Sequence, residues 1–472
     1  MSKAKMRIAI LCLILVGAML CNMAGCAASN PDKRLSENVT PKQENKTDEP
    51  EDTEKADEST DLEETENQKE PDNSEESDKT EQPNEQQKPD ENDNPDETDE
   101  LDEPVKIDNP NAAITDFAVR LLQSGEAKGE NTLLSPLSVL CALAMTANGA
   151  EGETRAQMEA TLGMTVEELN SYLSSYIQSL PQGKKYKLSI ANSIWFAEDF
   201  SANQGFLDAG KNFYGADIYN APFNNQTLYD INNWVNQKTN GMIPKILDKI
   251  SEDSVMYLIN ALAFEAEWTS IYYEDSVREK TFTREDGTEL KTEFMFGSVG
   301  DYYEDEYATG FLKYYSGGKY AFVALLPNEG IAVSEYIASL DGEQLHQLLS
   351  NTQDAKVINS IPKFEVEFDA ELSDMLKEMG MERPFDEINA EFEGLGTADA
   401  NLYISRVIHK TFISVGERGT KAGAATLVDI PCGSAPPQEI EYKYVYLDRP
   451  FVYMLIDCEN QLPFFIGTMM EP

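Results

Sequence analysis

Between Ala27 and Pro104 the chain carries 30 Asp and Glu residues against 8 Lys and Arg, with Pro, Asn, Gln, Ser and Thr supplying most of the remainder. Such a stretch has too little apolar surface to offset the entropy of ordering it, and its like charges drive it toward an extended coil. Whatever folds must lie outside it, and its expected role is a solvated spacer over residues 26–105. The formal net charge of −47 disfavours nucleic acid and anionic surfaces as partners.

On the N-terminal side, Lys3, Lys5 and Arg7 precede the apolar run "IAILCLILVGAML", the charged and apolar regions of a secretory leader. The run is short for a membrane span. The following "NMAGC" resembles a bacterial lipobox, with Ala24 and Gly25 directly before Cys26. That resemblance implies a leader over residues 1–25, cleavage before Cys26, and a diacylglyceryl anchor on its thiol. The domain would then sit on the outer face of the bacterial cytoplasmic membrane, at the cell surface, or be released from it. An ordinary secreted leader with an incidental cysteine is the alternative.

On the C-terminal side, residues 106–472 hold no second charged or Pro/Ser-rich linker, so one large domain is expected. Only Cys141, Cys432 and Cys458 fall in it, which is no disulfide framework. The whole chain has 2 histidines, His346 and His409, and lacks HExxH, GxSxG, Walker, GxGxxG, CxxC and EF-hand spacings. These absences argue against an enzyme, a metal site and a cofactor. A hydrolase using His409 with Ser434 is a third reading, but His409 sits within the alternating run "LYISRVIHKTFISV", where a hydrogen-bonded sheet histidine is the simpler account.

"ITDFAVRLLQS" has helical periodicity, and Ser135-Pro136 marks the start of a second helix whose Leu137, Leu140, Cys141 and Ala144 form an apolar stripe. "KLSIANSIWFAE" alternates as a strand does, while "SVMYLINALAFEAEW" and "KYAFVALLPNEG" are apolar runs suited to strands covered on both faces. "YDINNWVNQKTNG" should be a helix stopped by Gly241. Helices lead and strands dominate later, an α+β pattern.

The segments "NTLLSPLSVLCALAMTANGAEGETRAQM", "YDINNWVNQKTNGMIPKIL", "LINALAFEAEW", "SIPKFEVE", "LYISRVIHKTFISVGERGTKAGAAT" and "DRPFVYMLID" resemble, in this order, the serpin family. The resemblance implies three β-sheets, eight or nine helices and an exposed reactive-centre loop. It also implies a suicide mechanism: a target protease cleaves the loop and is trapped as an acyl-enzyme when the loop inserts into the main sheet. The hinge would run through Glu417, Gly419, Thr420, Ala422, Gly423, Ala424, Ala425 and Thr426. Alternation puts Thr420, Ala422, Ala424 and Thr426 on one face, small enough to slide into a covered sheet. A large charge there would be buried at several kcal/mol.

Family spacing puts the residue before the scissile bond at Gly433, next to Ser434, or at Cys432 if the hinge is one residue shorter. The apolar "IPC" suits elastase-like or subtilisin-like serine proteases, and cysteine proteases are a second target class. Ser135, Ser138, Asn260 and His409 match a polar cluster that latches the sheet by bonding one another, and Trp268 matches the point where the loop enters. "FEAEW" and "VGERGT" depart from the usual pattern, which implies that loop entry is tuned differently. The chain is expected to be a monomer, and the competing reading is a non-inhibitory binding or adhesion module on the cell surface.

Overall fold

A computed structural model describes residues 9–19, 109–125, 129–181, 183–251, 253–420 and 441–472. Every described residue belongs to one unit, which excludes residues 25–102.

Among the described residues there are nine α-helices: α1 (Pro110–Ser124), α2 (Pro136–Ala147), α3 (Gly152–Leu162), α4 (Val166–Ser179), α5 (Gln204–Tyr214), α6 (Asn225–Lys238), α7 (Val333–Ser339), α8 (Gly342–Ser350) and α9 (Ser373–Glu378). The strands are β1 (Ala9–Met19), β2 (Thr132–Leu134), β3 (Tyr186–Ala197), β4 (Ser201–Ala202), β5 (Asp217–Ala221), β6 (Ser254–Glu267), β7 (Val277–Thr283), β8 (Glu289–Glu304) and β9 (Ala308–Tyr314), followed by β10 (Tyr320–Pro327), β11 (Gln353–Pro362), β12 (Phe364–Glu371), β13 (Gly396–Thr397), β14 (Leu402–Gly416), β15 (Gly419–Thr420), β16 (Tyr442–Tyr446), β17 (Phe451–Asp457) and β18 (Leu462–Met469).

They form three sheets. The main sheet has 7 strands, with β12 and β14 on one side, β6, β3 and β5 on the other, and β1 and β15 between β14 and β6. A 9-stranded sheet follows the order β16-β11-β8-β9-β10-β17-β18-β2, with β7 on β8, and β4 pairs β13 alone.

Local signals explain the elements that frame the main sheet. Pro136 opens α2 where a missing N–H costs nothing, and every α2 residue is buried. The Asn224 side chain caps α6 by accepting from the N–H groups of Gln226 and Thr227. Asn240 and Gly241 then stop the helix with positive φ of 52° and 84°.

Strand β6 alternates between two apolar layers, as its period of two requires. Met256, Leu258, Leu262 and Phe264 join the core that contains α2. Tyr257, Ile259, Ala261 and Ala263 join a second cluster with Ile231, Trp234 and Val235 of α6. The main sheet is thus covered on both faces.

The N-terminal apolar run supplies the remaining strand of the main sheet. Its residues Ala9–Met19 make a strand paired in parallel to both β14 and β6. The physical reason is that β6 and β14 stand apart, leaving two rows of backbone groups that need partners.

Candidate functional site

The space between β6 and β14 is closed at one end by a two-residue strand. β15 turns back from β14, pairing Gly419 with Gly416 and Thr420 with Val415, and pairs antiparallel on its other side with Glu267 and Ala266 of β6. Gly419 has φ +144°, and a Cβ there would stand 2.1 Å from the Ala266 carbonyl oxygen, so only glycine fits. Thr420 is fully buried, and its hydroxyl bonds that of Tyr315. Burial pushes the Tyr315 phenol up, which keeps it neutral.

Trp268 organises this end. It is fully buried, and its ring stacks on Tyr315 at 4.3 Å and 10°. The indole Nε1–H donates to the Gly416 carbonyl at 2.9 Å. Its backbone N–H donates to the Arg418 carbonyl and that of Tyr272 to the Glu417 carbonyl, each at 2.9 Å. Three carbonyls of the turn into β15 are therefore held by one short segment.

Two lysines complete the region. Lys363 Nζ lies 2.8 Å from Glu417 and 2.9 Å from Glu293. Partial burial would raise the Glu417 carboxyl, but the bond from Lys363 holds it below the usual carboxylate range. Lys313 is 5% exposed; its amine donates to the Ser270 carbonyl at 2.9 Å and stands over the Trp268 and Tyr272 rings at 5.2 and 4.4 Å. Burial pushes this amine down to about 8.

Deeper in the sheet, the four residues expected to bond one another do so in two pairs. On the β6 side the Ser138 hydroxyl donates to Asn260 Oδ1; Asn260 Nδ2 donates to Asn192 at 2.8 Å, and Asn192 Nδ2 to the Tyr214 carbonyl at 2.8 Å. On the β14 side the Ser135 N–H donates to His409 Nε2 at 3.1 Å, while the Ser135 hydroxyl donates to the Phe464 carbonyl at 3.0 Å.

The register shows why the two pairs lie on opposite walls. Leu15 of β1 is opposite both Asn260 and His409, so a strand separates the two walls at this level. Both pairs are tethered to the start of α2, which passes beneath. His409 is fully buried, and burial pushes its imidazole down to about 3. It is neutral, with the proton on Nδ1, because Nε2 accepts. That is the state of a sheet histidine and gives no general base.

The structure thus brings Trp268, Glu417, Gly419 and Thr420 together at one end of the slot and places Ser135, Ser138, Asn260 and His409 midway along it. Ala422, Gly423, Ala424, Ala425, Thr426, Cys432, Gly433, Ser434 and Cys26 lie outside the described residues. Sequence reasoning missed Tyr315, Lys313, Lys363 and Asn192. Among the described residues no group of His, Cys, Asp and Glu could hold a metal ion, and no helix is long and apolar enough to cross a membrane. Cys141 lies in the core, its thiol pushed up to about 12 by burial, as an inert small residue would be.

Comparison with known proteins agrees with this architecture. A family model for serpin (serine protease inhibitor) matches residues 112–472, and the chain belongs to the serpin family. An uncharacterised serpin-like protein of Thermococcus kodakarensis is 31% identical over 370 residues, 76% of this chain and 85% of the relative. Mouse neuroserpin is 27% identical over 386 residues, 77% of this chain and 92% of its own length. Among solved structures, the native state of the thermophilic serpin tengpin is 48% identical with a TM-score of 0.72, covering 76% of this chain and 94% of tengpin. Its latent state gives 47% and 0.69, covering 77% and 98%. Serpins are in general protease inhibitors and not catalytic enzymes.

Proposed function

We propose that the mature chain is a suicide-substrate inhibitor of serine proteases, held at a bacterial cell surface by a lipid on Cys26 and spaced from it by the acidic segment. The observation that carries this reading is the hinge. Gly419 and Thr420 are already paired antiparallel to both walls of the slot, and the residues that follow, Lys421 through Val428, include no proline and only one charge.

In the proposed reaction the serine hydroxyl of the protease attacks the carbonyl carbon of Gly433 or Cys432. An ester forms, the peptide C–N bond breaks, and the proton leaves with the new amine. The freed N-terminal part of the loop continues from Thr420 as a strand between β6 and β14. It carries the ester-linked protease away from the geometry needed for hydrolysis. The drive is the pairing of two strand walls along their length, at about 1 kcal/mol net for each hydrogen bond. Small residues on the face shared with Thr420 let the strand pass over α2 without repacking the core. The apolar "IPC" favours elastase-like or subtilisin-like targets, with cysteine proteases as a second class.

The test is to mix the purified chain, processed at Cys26, with elastase-like, subtilisin-like, chymotrypsin-like and trypsin-like proteases. Denaturing gels and mass spectrometry of the released C-terminal peptide then read the outcome. An SDS-resistant band at the summed mass is expected, with cleavage after Cys432 or Gly433. Cleavage of the loop with the protease left active would replace inhibition by the binding-module reading.

A further inference from the structure

We infer that, while the N-terminal apolar segment stays attached, Ala9–Met19 is the slot's occupant and locks the unprocessed chain in a form that cannot take up its own loop. This inference rests on the proposed use of the slot by the loop.

Its first support is how fully β1 fills the gap. Along β14 it pairs from Ala9 opposite Leu402 to Ala18 opposite Phe412. Along β6 it pairs from Ile10 opposite Ser254 to Met19 opposite Phe264. β15 takes Ala266 and Glu267, so Glu265 is the sole β6 residue between the two occupants. A strand continuing from Thr420 in its own register would meet Phe264 with Ala422, Leu262 with Ala424 and Asn260 with Thr426. Those are the partners of Met19, Gly17 and Leu15. The two occupants exclude each other residue by residue.

The second support is the chemistry of the segment. "AILCLILVGAM" has no charge and no proline, and three β-branched residues. That composition suits a strand covered on both faces, which is what the α2 and α6 layers make of the slot. The third is direction: β1 runs parallel to both walls, whereas β15 runs antiparallel to both. β1 is therefore a separate ligand of the sheet, seated by its own ladder. Cleavage before Cys26 cuts it from the domain.

The experiment compares the full chain, produced without export so that the leader is retained, with its Val16→Pro and Leu13→Asp variants. Proline removes a ladder N–H in mid-strand, and aspartate puts a charge into an otherwise uncharged strand. Hydrogen exchange of peptides covering 254–264 and 402–412 is the primary readout, because it needs no protease. Both variants should exchange there about tenfold faster or more and melt lower, while α3 and β17 keep wild-type exchange, showing that the domain is folded. A synthetic peptide of residues 9–19 should restore the slow exchange. Equal exchange in all three chains overturns the inference. If the variants open the slot yet trap no protease that the processed chain was expected to trap, the lock stands and the inhibitory reading fails.

Discussion

The hydroxyls of Tyr315 and Thr420 bond each other inside the core, joining the first residues of the hinge to the stack of Tyr315 on Trp268. Tyr315→Phe leaves the Thr420 hydroxyl buried without this partner, a loss of about 1–3 kcal/mol. Thermal unfolding should show that loss, and exchange of the hinge amides should accelerate. Thr420→Arg goes further, because a guanidinium has no partner in that position. The variant should be cut by the target protease at the usual bond but form no SDS-resistant complex.

His409 should dominate part of the acid limb of stability. Its folded value of about 3 lies below the ordinary value of 6.5. Between these two the unfolded chain takes up a proton that the native sheet refuses, so stability falls as pH drops from 6.5 toward 3, by up to about 1.4 kcal/mol per unit. His409→Gln should be less stable than wild type at pH 7 and lose ground more slowly in acid. Urea unfolding at a series of pH values measures the converging curves.

Lys313 acts in the opposite range. With a folded value of about 8 against 10.5, the native state releases its proton first as pH rises. The burden of burying the charge is therefore complete below pH 8 and lifts between pH 8 and 10.5, so stability gains with pH there. Lys313→Met should lack that gain, read as the difference between its pH–stability curve and that of wild type, and the Trp268 fluorescence should shift because the cation above the ring is gone.

The ion pair of Lys363 with Glu417 is one-third exposed on both sides, so its contribution is modest, up to about 1 kcal/mol. Its location at the turn into β15 gives it leverage. Lys363→Met should raise the rate of hinge exchange and of spontaneous loop uptake, with little change in global unfolding. Because the Glu417 carboxyl is held low, acid should erase the difference between variant and wild type as pH falls through the carboxylate range.

Much of this architecture was legible in the sequence because local signals and tertiary context agree. The apolar runs of β6 and β10 read as covered strands and are covered, and Ser135-Pro136 and Asn240-Gly241 bound helices by simple backbone rules. Trp268 and Glu417 could be placed only through family resemblance, since nothing in periodicity says that an indole will bond a carbonyl 148 positions away. Lys313 was invisible because alternation predicts only which side a residue faces, and a lysine on an inward position of "GFLKYY" is normally a reason to doubt the strand. Lys363 stood in a quoted motif, but its partner is set by the meeting of two sheets. The same limit applied to Ala9–Met19. An uncharged run with β-branched residues suits a leader and a covered strand alike, and its partners on β6 and β14 are set by tertiary structure and not by the run itself.

The opposite directions of β1 and β15 turn the lock into a problem of kinetics. Parallel and antiparallel ladders use different hydrogen-bond patterns, so a loop arriving from Thr420 cannot slide into bonds that β1 vacates; each must be broken and rebuilt. The loop would have to advance like an invading strand in branch migration, and the toehold open to it is short: Glu265 on β6 and Ile413 with Ser414 on β14. Severing the leader would leave β1 held by its ladder alone, without a tether to return it once released, so the contest for partners would turn on a peptide bond elsewhere in the chain as well as on the protease that arrives at the loop.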